Sequence, residues 1–149
     1  MRKKISLVLL VVVILFIWGN SLQSADRSGE RSVRVTEIVN DVLRTRNPVT
    51  EHIIRKQAHF AEFALEGMCV VLVLWTHDRL RRANCGNVLL AGILTALIDE
   101  SIQAGVAGRW SSVADVWLDV AGFVTGACVL TVFALVVGRI KQRRCNGSA

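Results

Sequence analysis

The chain alternates between long apolar blocks and short polar ones. Ile5–Trp18 carries no charge and follows Arg2-Lys3-Lys4. Further apolar stretches run from about Ile53 to Trp75, Val88 to Ala104 and Val113 to Gly138. At 1.5 Å of rise per residue, each of these three reaches roughly 25 Å or more, enough to cross hydrocarbon. The first covers only about 21 Å and needs the turn to Leu22 to complete a crossing. The pattern predicts an all-α, integral membrane four-helix bundle, one domain over residues 1–149, with spans near 5–22, 53–75, 88–104 and 113–138. For the first block the competing reading is a cleaved signal peptide. Asn20-Ser21-Leu22-Gln23-Ser24-Ala25 offers small residues but no clean small-x-small site, so a retained span is expected.

Between residues 24 and 54 the pattern changes. Val35, Ile38, Val39 and Val42 recur at helical spacing, opposite Arg34, Glu37, Asp41 and Arg44. This predicts a short amphipathic helix, lying on the membrane surface or packed on the protein with its polar face in water. Asn47-Pro48 ends it.

Charge refines the picture. The chain has 149 residues and a net charge of +6. Its bases cluster beside the apolar blocks, at Arg2-Lys3-Lys4, Arg79/Arg81/Arg82 and Arg139/Lys141/Arg143/Arg144. They read as topology signals and not as a nucleic-acid surface. The loop at 77–82 holds three arginines and the loop at 105–112 one, so both termini are expected in the cytoplasm of a multi-pass cell-membrane protein. The bases of the 20–56 segment count against that orientation. The four cysteines form no Cys-x-x-Cys pair. Cys69 and Cys128 read as small core residues, Cys85 and Cys145 as reduced thiols in basic flanks.

The candidate chemistry lies inside the spans. Arg55, Lys56, His59 and Glu62 open the second, with Glu66 one turn on; Asp99, Glu100 and Gln103 close the third; Asp115 and Asp119 open the fourth. A charge at the bilayer centre costs roughly 2.5–3.5 kcal/mol, so such residues point to a polar site. Consecutive spans alternate in direction, which brings all these ends to one membrane face whichever face it is. His59, Glu62 and Glu66 share a helical side, as do Asp99 and Gln103, with Thr95 a turn deeper. Asp115 and Asp119 share another, continued by Gly122-x-x-x-Gly126, a pair that lets a neighbouring helix come close.

Six carboxylates, Glu66 included, face Arg55, Lys56 and Arg109. That surplus calls for a retained proton, a charged His59 or a bound cation. His59, Glu62, Asp99, Glu100 and Asp119 are therefore the acid/base candidates. Arg55, Lys56, Gln103, Arg109 and Asp115 are the ligand-binding candidates. Each has a structural rival. Asp115 completes a Ser112-x-x-Asp capping box, Arg55 and Lys56 anchor at headgroups, Arg109 pairs with Asp99 or Asp115, and the whole cluster locks the helices together. Carboxylates and a histidine suit magnesium, calcium, manganese or zinc, but no dedicated metal motif is present and no residue is assigned to a metal. No cofactor is identified. Nothing places a serine or cysteine nucleophile beside His59. Trp18, Trp110 and Trp75 fall near span boundaries; Trp117 is expected to pack, with contact to a lipid or a ligand's apolar part as the alternative.

Several motifs together carry a resemblance. Arg55-Lys-x-Ala-His59-Phe-x-Glu62-Phe, Asp99-Glu100-x-x-Gln103, Gly108-Arg109 and Asp115-x-x-x-Asp119-x-x-Gly122 occur in this order, after Asn20-Ser21-Leu22-Gln23. From about residue 16 to 127 the chain resembles the VanZ-like family. Glu66 departs from it, where an apolar residue is usual, and Asp119 stands where Asn or Asp is usual. The resemblance implies a small bacterial membrane protein whose family namesake is associated with low-level resistance to the glycopeptide teicoplanin. It brings no settled reaction.

Three functions remain open. The first is binding of a cell-envelope lipid, a lipid-linked molecule or a glycopeptide-related ligand, alongside membrane lipids and without nucleic acid. The second is acid/base catalysis on a lipid-linked envelope substrate. The third is a structural or assembly role. Binding is the favoured expectation, since an altered antibiotic response requires no turnover.

Overall fold

The computed structural model describes residues 1–23, 25–43, 50–109 and 111–146. Within them lie five α-helices: α1 (Arg2–Ser21), α2 (Ala25–Leu43), α3 (Glu51–Thr76), α4 (Cys85–Ala104) and α5 (Val113–Asn146), with one 3-10 turn at Arg82–Asn84. No strand occurs among the described residues. The expected break at Asn47-Pro48, Trp110 and the side chain of Cys145 lie outside them. Helices α1, α3, α4 and the Val113–Ile140 part of α5 are long and apolar enough to cross a membrane. Helix α5 continues past the expected end near 138 because Arg139, Lys141, Gln142, Arg143 and Arg144 are good helix formers.

Helix α2 covers the predicted amphipathic segment as far as Leu43 and extends it toward the N-terminus; Arg44 and the side chain of Val42 lie outside the described residues. It packs on α3 and leaves Val33, Val35 and Ile38 exposed. Its neighbours alone do not cover its apolar face.

The packing is closest between α3 and α5. A Cβ on Gly122 would strike the carbonyl of Phe60, one on Gly126 the carbonyl of Ala64, and one on Gly67 the carbonyl of Phe123. The predicted glycine pair thus brings two backbones into contact over two turns, with Gly67 answering from the opposite helix. Around this seam Ile17, Phe63, Ala96 and Phe123 form a small buried core. Gly92 on α4 leaves the space that the Phe123 ring fills.

The outer faces are apolar instead of polar. Val8, Val12 and Phe16 on α1, Leu90 and Leu94 on α4, and Val129, Val132 and Phe133 on α5 are exposed. Lipid solvates such surfaces, which water would not. Cys69 is buried as expected, whereas Cys128 faces outward with Val129. Trp117 is 67% exposed, so the expected packing role fails. It lies two residues before buried Asp119, about 200° round the helix, and points away from the bundle. Trp18 packs against the core, and Trp75 meets Phe133 edge-on at 6.3 Å.

Helices α1 and α3 run antiparallel. Ser6 Oγ lies 2.9 Å from Thr76 Oγ1 at one end, and Asn20 reaches Glu62 toward the other. Between α4 and α5, Gly108 adopts a left-handed φ of 77°, which a glycine takes without strain. The next residue is Arg109, whose guanidinium returns over the bundle to the Asn20 carbonyl at 3.5 Å.

Candidate functional site

The last turn of α1, the first half of α3, the last turns of α4 and the first turns of α5 meet at one end of the bundle. Two cavities open there. One, of about 390 Å³, is lined by all of Arg55, Lys56, His59, Glu100, Gln103, Arg109, Asp115 and Asp119, together with His52 and Ser112. The other, of about 190 Å³, lies between α2 and α3 and is lined by Asn20, Gln23, Ser32, Val35, Glu62 and others. Arg55, His59 and Arg109 line both, so they form the shared wall.

His59 sits one turn into the wall from Arg55. Its Nδ1 lies 3.9 Å from Asp99 Oδ2 and 4.0 Å from Asp119 Oδ1. Both distances exceed a hydrogen bond. Asp99 is 0% and Asp119 1% exposed. The Gln103 amide donates to Asp99 Oδ2 at 2.7 Å and reaches Ser21 Oγ at 3.4 Å. That bond follows from their four-residue spacing on α4. Neither oxygen of Asp119 has a hydrogen-bond partner. His59, Asp99 and Asp119 each offer a ligand atom within 4.8 Å of the others, and they are the residues that could hold a metal.

Glu62 faces the smaller cavity, where its Oε1 accepts a hydrogen bond from Asn20 Nδ2 at 2.9 Å; Gln23 in turn donates to Asn20 at 3.3 Å. Glu66, one turn deeper, is 1% exposed and lines neither cavity. Glu100 turns away from Asp99, as neighbouring residues on a helix must. Its Oε1 accepts the backbone N–H of Ser112. Half of the expected Ser112–Asp115 capping box remains: Ser112 Oγ accepts the Ala114 N–H at 3.2 Å, while Glu100 of α4 takes the Ser112 N–H and Asp115 pairs with Lys56 at 2.9 Å. Lys56 is thus partly neutralised.

Arg55 and Arg109 have no ion pair among the described residues. The expected pairing of Arg109 with Asp99 or Asp115 is not made. Burial and the neighbouring Arg55 push the Arg109 guanidinium below its ordinary value. Arginine starts so far above neutrality that it keeps its charge.

The fold brings nine of the ten candidates to the larger cavity or directly behind it, and places Glu62 on the other side of the shared wall. His52, which lines the larger cavity, was missed as a site residue. Three hydrogen-bonding contributors were missed too: Asn20, Ser21 and Ser112. Each acts through a hydrogen bond to a candidate acid or amide. The signal for the first two was their polarity at the end of an otherwise apolar run. Nothing in the spacing pointed to Ser112 as the partner of Glu100.

A family model described as VanZ/LLP1 matches residues 6–134. No curated protein and no solved structure matches the chain.

Proposed function

The chain belongs to the VanZ/LLP1 family of membrane proteins, and from that premise we propose that it binds an anionic, lipid-linked molecule of the cell envelope by its head group. The observation that carries this is the pair of guanidinium groups, Arg55 and Arg109, on the shared wall of two cavities with no carboxylate partner among the described residues. Guanidinium forks suit phosphate and carboxylate geometry, and a membrane-level cavity suits a ligand whose tail stays in lipid. Ile38 of α2 rests in the acyl boundary and holds that helix over the smaller cavity, which Val35 lines. The bundle sits in the cell membrane with both termini in the cytoplasm, so the cavities open outward. Sequestering or presenting an envelope precursor there lowers sensitivity to teicoplanin.

The test uses purified protein in nanodiscs with and without a polyprenyl phosphate, read by native mass spectrometry. Retention of the phosphate lipid over phosphatidylcholine is expected, and its loss in Arg55→Gln and Arg109→Gln. Equal retention in wild type and both variants refutes the reading. A second function, acid/base catalysis, is favoured by His59 standing between two buried carboxylates. A product of altered mass after incubation with envelope lipids, absent in His59→Gln, distinguishes it from binding alone.

A further inference from the structure

We propose that His59, Asp99 and Asp119 form a binding site for one divalent transition-metal ion of the manganese-to-zinc type, opening into the larger cavity. The three residues come from three helices, α3, α4 and α5, and their ligand atoms lie within 4.8 Å of one another. A tetrahedral site with bonds near 2.1 Å has ligand atoms about 3.4 Å apart. From 3.9 and 4.0 Å, His59 Nδ1 closes on both carboxylates by about half an ångström. The set as a whole lies within 4.8 Å, so no pair closes by more than about 1.4 Å.

Burial supplies the second observation. Asp119 is 1% exposed, aims Oδ1 at His59, and neither of its oxygens has a hydrogen-bond partner. Asp99 is fully buried with Oδ1 likewise unpartnered. Two adjacent buried carboxylates, Asp119 with no donor and Asp99 with Gln103 alone, cost several kcal/mol each. No lysine or arginine among the described residues reaches either of them within 4.0 Å, and Lys56 is engaged by Asp115. A divalent ion removes this cost in one step.

The donor set selects the ion. Magnesium and calcium prefer oxygen, whereas an imidazole nitrogen with two carboxylates suits manganese, iron or zinc. Gln103 donates to Asp99 Oδ2, the oxygen 3.9 Å from His59 Nδ1, and so orients the carboxylate as a supporting residue; a carboxylate oxygen that accepts one hydrogen bond keeps a second lone pair for a metal. His59 and Asp119 line the cavity and Asp99 stands behind them. The remaining coordination positions therefore face the space where Arg55 and Arg109 lie. Three protein ligands with an open side are the arrangement of ligand-accepting metal centres.

The experiment uses the purified full chain, stripped by chelator and titrated separately with Zn2+, Mn2+ and Ca2+ in the absence of added lipid. One Zn2+ or Mn2+ per chain is expected, with nitrogen coupling from an imidazole in the pulsed electron paramagnetic resonance of the Mn2+ form. His59→Gln should abolish that coupling. Asp119→Asn should weaken affinity by about 100-fold or more, and Gln103→Ala by about 10–100-fold. Cys85→Ser and Cys128→Ser, at exposed thiols, should bind as wild type. Absence of a bound ion in wild type, binding without nitrogen coupling, or preference for Ca2+ overturns the proposal. The wild-type spectrum decides even where a variant fails to fold. Because no lipid is added, failure here leaves the anionic-lipid reading standing, and loss of lipid retention leaves the metal site standing.

Discussion

Gly126→Ala is the sharpest test of how this bundle is held together. In an unconstrained helix the change is favourable by about 0.5–1 kcal/mol, because glycine loses more backbone freedom than alanine on folding. At position 126 the added methyl would run into the Ala64 carbonyl, part of α3's backbone, which no rotamer change can move aside. Overpacking costs about 1–3 kcal/mol, and an unyielding backbone partner argues for the upper half of that range. The net expectation is a destabilisation of about 1–2 kcal/mol. Gly138 on the same helix has open space where its Cβ would stand. Gly138→Ala should therefore be neutral or stabilising by up to about 1 kcal/mol. Reversible unfolding in mixed micelles, followed by far-UV circular dichroism, measures both. A separation of about 2 kcal/mol or more, with opposite signs, is expected. If Gly126→Ala is as benign as Gly138→Ala, the α3–α5 backbone contact does not exist, and the placement of Asp119 beside His59 falls with it.

Other consequences follow from individual side chains. Asn20→Ala removes the donor to Glu62, a bond of about 1.5–3 kcal/mol if the carboxyl is charged; a double-mutant cycle with Glu62→Gln should return a coupling above about 0.5 kcal/mol, and additive effects would deny the contact. In a background lacking the other tryptophans, brominated lipid should quench Trp117 strongly, since 67% of its surface lies outside the bundle; an unquenched Trp117 would place it against protein. Anion binding by the wild type should be flat from about pH 7.5 to 9, above the second ionisation of a phosphate monoester at about 6, because burial and Arg55 lower the Arg109 guanidinium without discharging it there. Arg109→Lys installs an amine whose ordinary value near 10.4 is lowered by the same two causes. Its charge is lost as pH rises, so binding should fade toward pH 9, and a flat profile in that variant would remove Arg109 from the ligand contact.

The sequence by itself determined the membrane class, the four crossings and the end of the bundle at which polar chemistry gathers. Hydrophobic run length reports the solvent directly, and alternating crossings leave no freedom about which helix ends meet. It also named the glycine pair on α5, because close approach needs a missing side chain. What it carried for each residue was an angle on its own helix. The rotation and depth of the neighbouring helices decided the rest. They turned Trp117 and Cys128 outward to lipid and left Asp115 to Lys56 while Glu100 took the Ser112 N–H. They also brought Asn20 of α1 to Glu62, forty-two residues away. The grouping of His59, Asp99 and Asp119 belongs to the same class. Each helix contributes a single ligand, so no spacing within one segment can announce the set, and only the packing of three helices around a glycine seam assembles it.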